Sequence, residues 1–281
     1  MYSTIISSKD LSNIIHEKNV IVFDCRFNLM NKTQGYENYL ESHIENSHYI
    51  NLESDLSSPV TKHSGRHPLK EIVDFSNILN YHGVNNNTQI IVYDDNNSAM
   101  CARFWWMLRL VGIKNCAVLD GGYSSWVSNQ HAVSSNTSFI SEKQNIKYSY
   151  NQGLLITTEA LKKKLKNNLI YLLDARDTER YLGESEPIDK KAGHIHGAIN
   201  MPFKNNLDSS GHFKNKPELM EMFQEFRNDS SKDIVNMCGS GVTACHNYLA
   251  MEHSGIRESK IYVGSWSAWI SHEDAIIEGV K

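Results

Sequence analysis

The sequence predicts an α/β protein built as two tandem copies of one domain, each a mainly parallel sheet with helices on both faces. Three observations carry this: an internal repeat that keeps its order, alternation of apolar runs with helical segments, and a polar stretch between the copies. "VIVFDCR" (20–26) returns as "IYLLDAR" (170–176), each an apolar run ending in Asp-x-Arg. "SHIENSHYINL" (42–52) returns as "GHIHGAINMPF" (193–203), and "QIIVYDD" (89–95) as "DIVNMCG" (233–239). "VLDGGYSSW" (118–126) returns as "IYVGSWSAW" (261–269), with Trp126 and Trp269 closing the matched pieces. Four matches in one order point to a duplication.

The apolar runs are short and bounded by Asp, Gly and Asn, which is how buried parallel strands read. "LKEIVDFSNILNYHGV" (69–84) and "PELMEMFQEFRN" (217–228) have helical periodicity. Residues 128–153 are polar and poor in apolar periodicity, as expected of an exposed linker. The expected domains are 1–135 and 154–281, joined by a linker over 136–153. In sheets of this kind ligands bind beyond the carboxyl ends of the strands, so the site is sought there.

Composition narrows the function. The chain has 281 residues, 40% hydrophobic and 21% charged, with 28 basic and 32 acidic side chains for a net charge of −4. That balance argues against a nucleic-acid or membrane-surface binder, which needs a concentrated basic face. No apolar run reaches membrane-spanning length, and the first twenty residues lack the basic start and apolar core of a signal peptide. Five scattered cysteines without a Cys-x-x-Cys pair make a poor disulfide framework or zinc ribbon. The expectation is a cytoplasmic protein with free thiols, most of them small core residues.

One cysteine is placed differently. In "IVNMCGSGVTACHNYLAM" (234–251) an apolar strand runs into Cys238, then Gly239-Ser240-Gly241, then a helix expected over Val242–His253. A helix N-terminus offers unpaired N–H groups and the positive end of the dipole, which favour a thiolate. Glycines at 239 and 241 let the backbone curl so that amides face the sulfur, and Ser240 adds a hydroxyl. The loop suits a thiolate or a persulfide. A similar loop in cysteine phosphatases needs Arg six residues after the cysteine, where this chain has Ala244.

On these residues the chain resembles the two-domain rhodanese family of sulfurtransferases. "CGSGVTA" (238–244) is similar to the active loop of the members that use 3-mercaptopyruvate, in contrast to the basic "CRKGVTA" of those that use thiosulfate. "DAR…ERYLG", "GHIHGA", "RFWWMLRLVG" and "GSWSAW" extend the resemblance over nearly the whole chain. It implies an inactive N-terminal domain, with Asp94 at the cysteine position, and a catalytic C-terminal one. It implies Cys238 as the nucleophile that becomes a persulfide, the amides of Gly239, Gly241, Val242 and Thr243 as its cradle, and Arg180 as the donor-binding arginine. A Ser-His-acid arrangement would be Ser240 with His67 or His63, and Glu53 or Asp55. The implied partners are a small sulfur donor, mercaptopyruvate or else thiosulfate, and a thiol or cyanide acceptor, with a thioredoxin-like reductant as a further candidate. No cofactor and no metal are implied.

In one respect the chain departs from the family. A second arginine often follows the "EP" of the Arg180 loop, where this chain has Ile188, with Lys190 and Lys191 nearby. Neutral residues at 239 and 240 favour a monocarboxylate over dianionic thiosulfate, and Arg and Lys placed there are expected to shift the preference. A non-catalytic partner-binding or sulfur-carrier module is the competing class, disfavoured by the intact loop.

Several other motifs read as structure. His194 and His196 have no third metal ligand nearby, and His194 fits a hydrogen-bonding turn. Asp24/Arg26 and Asp174/Arg176 recur in both copies and read as ion pairs. "RFWWML" (103–108) reads as a buried helix, Cys245 as core, and Lys162, Lys163 and Lys164 as a solvated helix face.

Overall fold

The structure is a computed structural model, and it describes residues 1–138, 143–256 and 259–279. The chain forms two compact units: residues 1–58, 70–151 and 210–212 make the first, and 59–69, 152–209 and 213–281 the second. None of the described helices is long and apolar enough to cross a membrane.

The sheet of the first unit runs Ile5–Ile6, Cys116–Leu119, Gln89–Tyr93, Val20–Asp24, Ser47–Tyr49, with every neighbouring pair parallel. That of the second runs Ala198–Asn200, Ile170–Asp174, Asp233–Met237, Lys260–Ile261, again all parallel. The repeated segments occupy equivalent strands, so both copies fold as the repeat predicts. Parallel strands covered on both faces must be apolar throughout. Gln89–Tyr93 is buried at all five positions, and Leu172, Leu173, Val235 and Met237 are fully buried.

The recurring Asp-x-Arg pairs are structural in both copies. Arg176 Nη2 lies 2.6 Å from Asp174 and donates to the Gly193 carbonyl at 2.8 Å. Arg26 Nη2 lies 2.7 Å from Asp24 and donates to the Ser42 carbonyl. Each buried charge is thus neutralised and hydrogen-bonded where a strand ends. The helix Cys101–Leu110 is buried along its whole length. Cys245 is buried and donates to the Gly241 carbonyl at 3.3 Å. His194 Nδ1 donates to the Tyr181 carbonyl at 2.8 Å, and its ring stacks on that of Tyr181. Lys162 and Lys164 pair with Asp274 and Asp233.

Two segments differ from expectation. The helix expected over 217–228 breaks at Phe223, which is fully buried, leaving Lys216–Met222 and Gln224–Asn228. Leu219, Phe223 and Phe226 are all buried, so the apolar face that the periodicity marks persists across the break. Within the expected linker, residues 139–142 lie outside the described residues. Residues 144–151 are bonded into the first unit: Gln144 N–H to the Asn80 carbonyl, Ser149 N–H to Val111, Asn151 N–H to Leu110, with Ile146 buried.

Candidate active site

The second sheet sets the site. Register places Met237 opposite Asp174, and Asp174 opposite Asn200, so three strands end at one level. Cys238 is the next residue, and Ala175 N–H donates to the Met237 carbonyl at 2.8 Å. The turn after it is held from one side by residues 265–267. Cys238 N–H donates to Ser265 Oγ at 3.0 Å, Trp266 N–H to the Cys238 carbonyl at 2.9 Å, and Ser267 N–H to the Gly239 carbonyl at 2.9 Å. Three of the bonds that hold the loop therefore run through its backbone rather than through the cysteine side chain.

Gly241 N–H points at Cys238 Sγ, 3.1 Å away. This needs φ +77° at Gly241, and a Cβ there would sit 2.4 Å from the Val263 carbonyl oxygen. Val242 and Thr243 lead into the helix Ala244–Ser254, which starts two residues later than the sequence suggests. The Cys245 and His246 N–H groups of its first turn donate to the Val242 and Thr243 carbonyls at 3.0 and 3.1 Å, so the helix turns the positive end of its dipole toward the loop without offering those amides. Burial pushes the thiols of Cys25, Cys101 and Cys116 up, with the Asp94 charge adding to it at Cys25 and Cys101.

Ser240 Oγ lies 2.7 Å from His67 Nδ1, and both side chains are buried. The structure thus brings His67 to the loop, while His63 is exposed, 3.0 Å from Ser271 Oγ, and stacked on His272. Glu53 pairs with Lys32, and Asp55 accepts from Asn51 N–H and the Ser54 hydroxyl, both in the first unit.

Arg180 grips Glu186 through Nε and Nη2 at 2.7–3.1 Å and reaches Asp189 with Nη2 at 3.1 Å. Burial alone would raise the Glu186 carboxyl, but the Arg180 hydrogen bonds and charge hold it below the usual range. The other oxygen of Asp189 takes Arg66, whose own N–H donates to Ser267 Oγ at 3.1 Å. Two guanidiniums are thus clamped by two carboxylates. Both stand over Gly239: a Cβ there would lie 2.8 Å from Arg66 Nη2 and 3.5 Å from Arg180 Nη1 and Nη2.

Sequence reasoning missed Arg66, Glu186 and Asp189, although Arg66 adjoins His67 in "SGRHPLK" and the two acids flank Ile188. The position of Arg66 revises one expectation. A basic side chain at 239 would be driven into two arginines, so adding charge there is not a clean way to change donor preference.

The corresponding turn of the first unit holds a carboxylate. Asp94 Oδ1 accepts from Asn96 and Ser98 N–H, and Oδ2 from Met100 and Cys101 N–H, at 2.8–2.9 Å. Its anion cradle is filled by its own chain.

A cysteine facing a backbone amide beyond a parallel strand, with two arginines over its loop, on a duplicated α/β domain, agrees with what the comparisons show: the chain belongs to the rhodanese family of sulfurtransferases. The rhodanese-like domain model matches residues 7–129 and 157–272. The chain is 37% identical over 270 residues to a probable 3-mercaptopyruvate sulfurtransferase of Pseudomonas aeruginosa, covering 95% of each. It is 32% identical over 280 residues to the thiosulfate sulfurtransferase of Rattus norvegicus, covering 96% of this chain and 92% of that one. Among solved structures it resembles SseA from Escherichia coli, with TM-score 0.81, 25% identity, and coverage of 95% and 100%. The 3-mercaptopyruvate sulfurtransferase of Leishmania major gives 0.82 and 25%, covering 94% of this chain and 73% of that one.

Proposed function

We propose that this enzyme takes a sulfur atom from 3-mercaptopyruvate onto Cys238 and passes it to a thiol or cyanide. The observation that carries the reading is Cys238 Sγ facing the Gly241 amide, with His67 bonded to Ser240 of the same loop and the Arg180 guanidinium standing over Gly239. The Cys238 thiolate attacks the donor sulfur, the C–S bond breaks, and its electron pair goes to the former thiol-bearing carbon as the enolate. The donor's thiol proton passes by way of Ser240 and His67 to that carbon, giving pyruvate and a persulfide anion. The amides of Gly239, Gly241, Val242 and Thr243 cradle that anion. Arg180 binds the donor carboxylate through Nη1, which its two acidic partners leave open.

Arg66 favours a second reading, thiosulfate as donor, because a second guanidinium over the loop suits a dianion. Asp189 and Glu186 offset both arginines, however, and the balance suits one carboxylate. The first copy, with Asp94 in its cradle, is in this reading the inactive domain, within the limits 1–135 and 154–281 joined by 136–153. Five free cysteines support a reducing, cytoplasmic setting, where a thioredoxin-like reductant is one candidate acceptor.

Parallel kcat/KM values with mercaptopyruvate and thiosulfate test this. Mercaptopyruvate is expected to be the better donor, and Arg180→Lys to lower its kcat/KM by about ten-fold or more, since a point charge replaces a planar fork. Faster use of thiosulfate would overturn the donor, an unchanged Arg180→Lys enzyme would overturn the role of that residue, and no turnover of either donor would overturn catalysis.

A further inference from the structure

Arg66 has two sides. One stands over Gly239, and the other lines a cavity of about 350 Å³ that lies wholly within residues of the second unit. Its walls include Val60, Lys62, Arg66, Ile188, Lys190 and Lys191. That volume is at the lower end of small-molecule sites. Four cationic side chains face it against one carboxylate, Asp189, which is already shared between Arg66 and Arg180. Lys62, Lys190 and Lys191 are exposed, and no ion pair or side-chain hydrogen bond holds them among the described residues. Three exposed lysines thus converge on one cavity. Ile188 and Val60 give the same cavity an apolar wall.

We infer that this cavity is the binding site for the sulfur acceptor, and that the acceptor is a small thiol carrying two or more carboxylates. The inference rests on the reading of Cys238 as the persulfide-bearing residue and adds the class of the second substrate. The donor's single carboxylate is matched by Arg180, so the lysines are left for a second, more anionic molecule. Arg66 lines the cavity and also stands over Gly239, the residue after Cys238, so a thiol anchored among the lysines sits beside the arginine that overhangs the loop. In that step the acceptor thiolate attacks the outer sulfur of the persulfide, and a new S–S bond forms. The bond to Cys238 Sγ breaks, its electron pair stays on Sγ, and the acceptor departs as its own persulfide. Sulfur, charge and electrons balance without a further reductant.

Two readouts on the full chain test the site. Succinate, a dicarboxylate without a thiol, is titrated by calorimetry into the wild type and into a Lys62→Gln, Lys190→Gln, Lys191→Gln variant. Loss of these charges is expected to weaken binding by about ten-fold or more. Rates of persulfide discharge to mercaptosuccinate and to uncharged 2-mercaptoethanol are then compared, and the ratio of the two is expected to fall by a similar factor in the variant. Succinate that does not bind, or that binds both proteins equally, would overturn the site, and so would an unchanged ratio. Since the calorimetry requires no sulfur transfer, failure of the proposed reaction would leave the binding result readable on its own.

Discussion

Cys238→Ser is expected to leave a folded protein with no measurable sulfur transfer. Serine oxygen does not form a persulfide analogue with a sulfur donor, so the covalent route is closed rather than slowed. The fold should survive, because the loop is held through the Cys238 N–H and carbonyl and the 265–267 turn, and a serine Oγ can still accept from the Gly241 N–H that now faces Sγ. The melting temperature is therefore expected to stay within about 2–4 °C of wild type, the change that roughly 1 kcal/mol produces in a unit of this size. No other cysteine is placed to substitute. Cys25, Cys101 and Cys116 are buried with thiols pushed up, and the Cys245 thiol donates to the Gly241 carbonyl behind the loop. Steady-state assays with cyanide as acceptor, paired with thermal melts, check both halves. Retained turnover would move the nucleophile elsewhere.

The second large effect is expected at Gly241, with Gly197 as its internal control. Both glycines have φ near +77°, where an L side chain costs about 1–2 kcal/mol. At Gly197 the nearest atom to an added Cβ is Leu165 Cδ2 at 4.0 Å, so Ala there meets only the backbone cost. At Gly241 the Cβ would also lie 2.4 Å from the Val263 carbonyl oxygen and 3.0 Å from Val263 Cα, both backbone atoms that do not swing away. The loop must shift, and its N–H leaves the sulfur. Gly241→Ala should thus lower kcat by about a hundred-fold or more, as loss of a preorganised donor does, and melt earlier than Gly197→Ala. Gly197→Ala should keep near-wild-type rates. Equal behaviour of the two variants in melts and assays would mean the cradle geometry is not what the chemistry uses.

What the sequence displays and what it hides divide along contact range. The strands around Asp24 and Asp174, the buried helix after Arg103 and the turn at Cys238 are written in local patterns: apolar runs, a periodic helix and Gly-Ser-Gly. Their repetition doubles each signal. The pair that completes the site is not local. His67 meets Ser240 across 173 residues of sequence, and Arg66 meets Asp189 across 123. Nothing in "SGRHPLK" alone tells His67 from His63, because the choice is made by how 59–69 packs within the second unit. Arg66 is a further case. The missing arginine at Ile188 reads as a deficit in the sequence, whereas a guanidinium reaches the loop from a distant segment.

A persulfide on Cys238 is read directly by intact-protein mass spectrometry after brief incubation with mercaptopyruvate, with peptide mapping of the product. The expected result is a gain of one sulfur atom per chain, located on Cys238, removed by excess thiol and absent from Cys238→Ser. A sulfur adduct on Cys25, Cys101, Cys116 or Cys245, or no adduct in an enzyme that turns over, would contradict it.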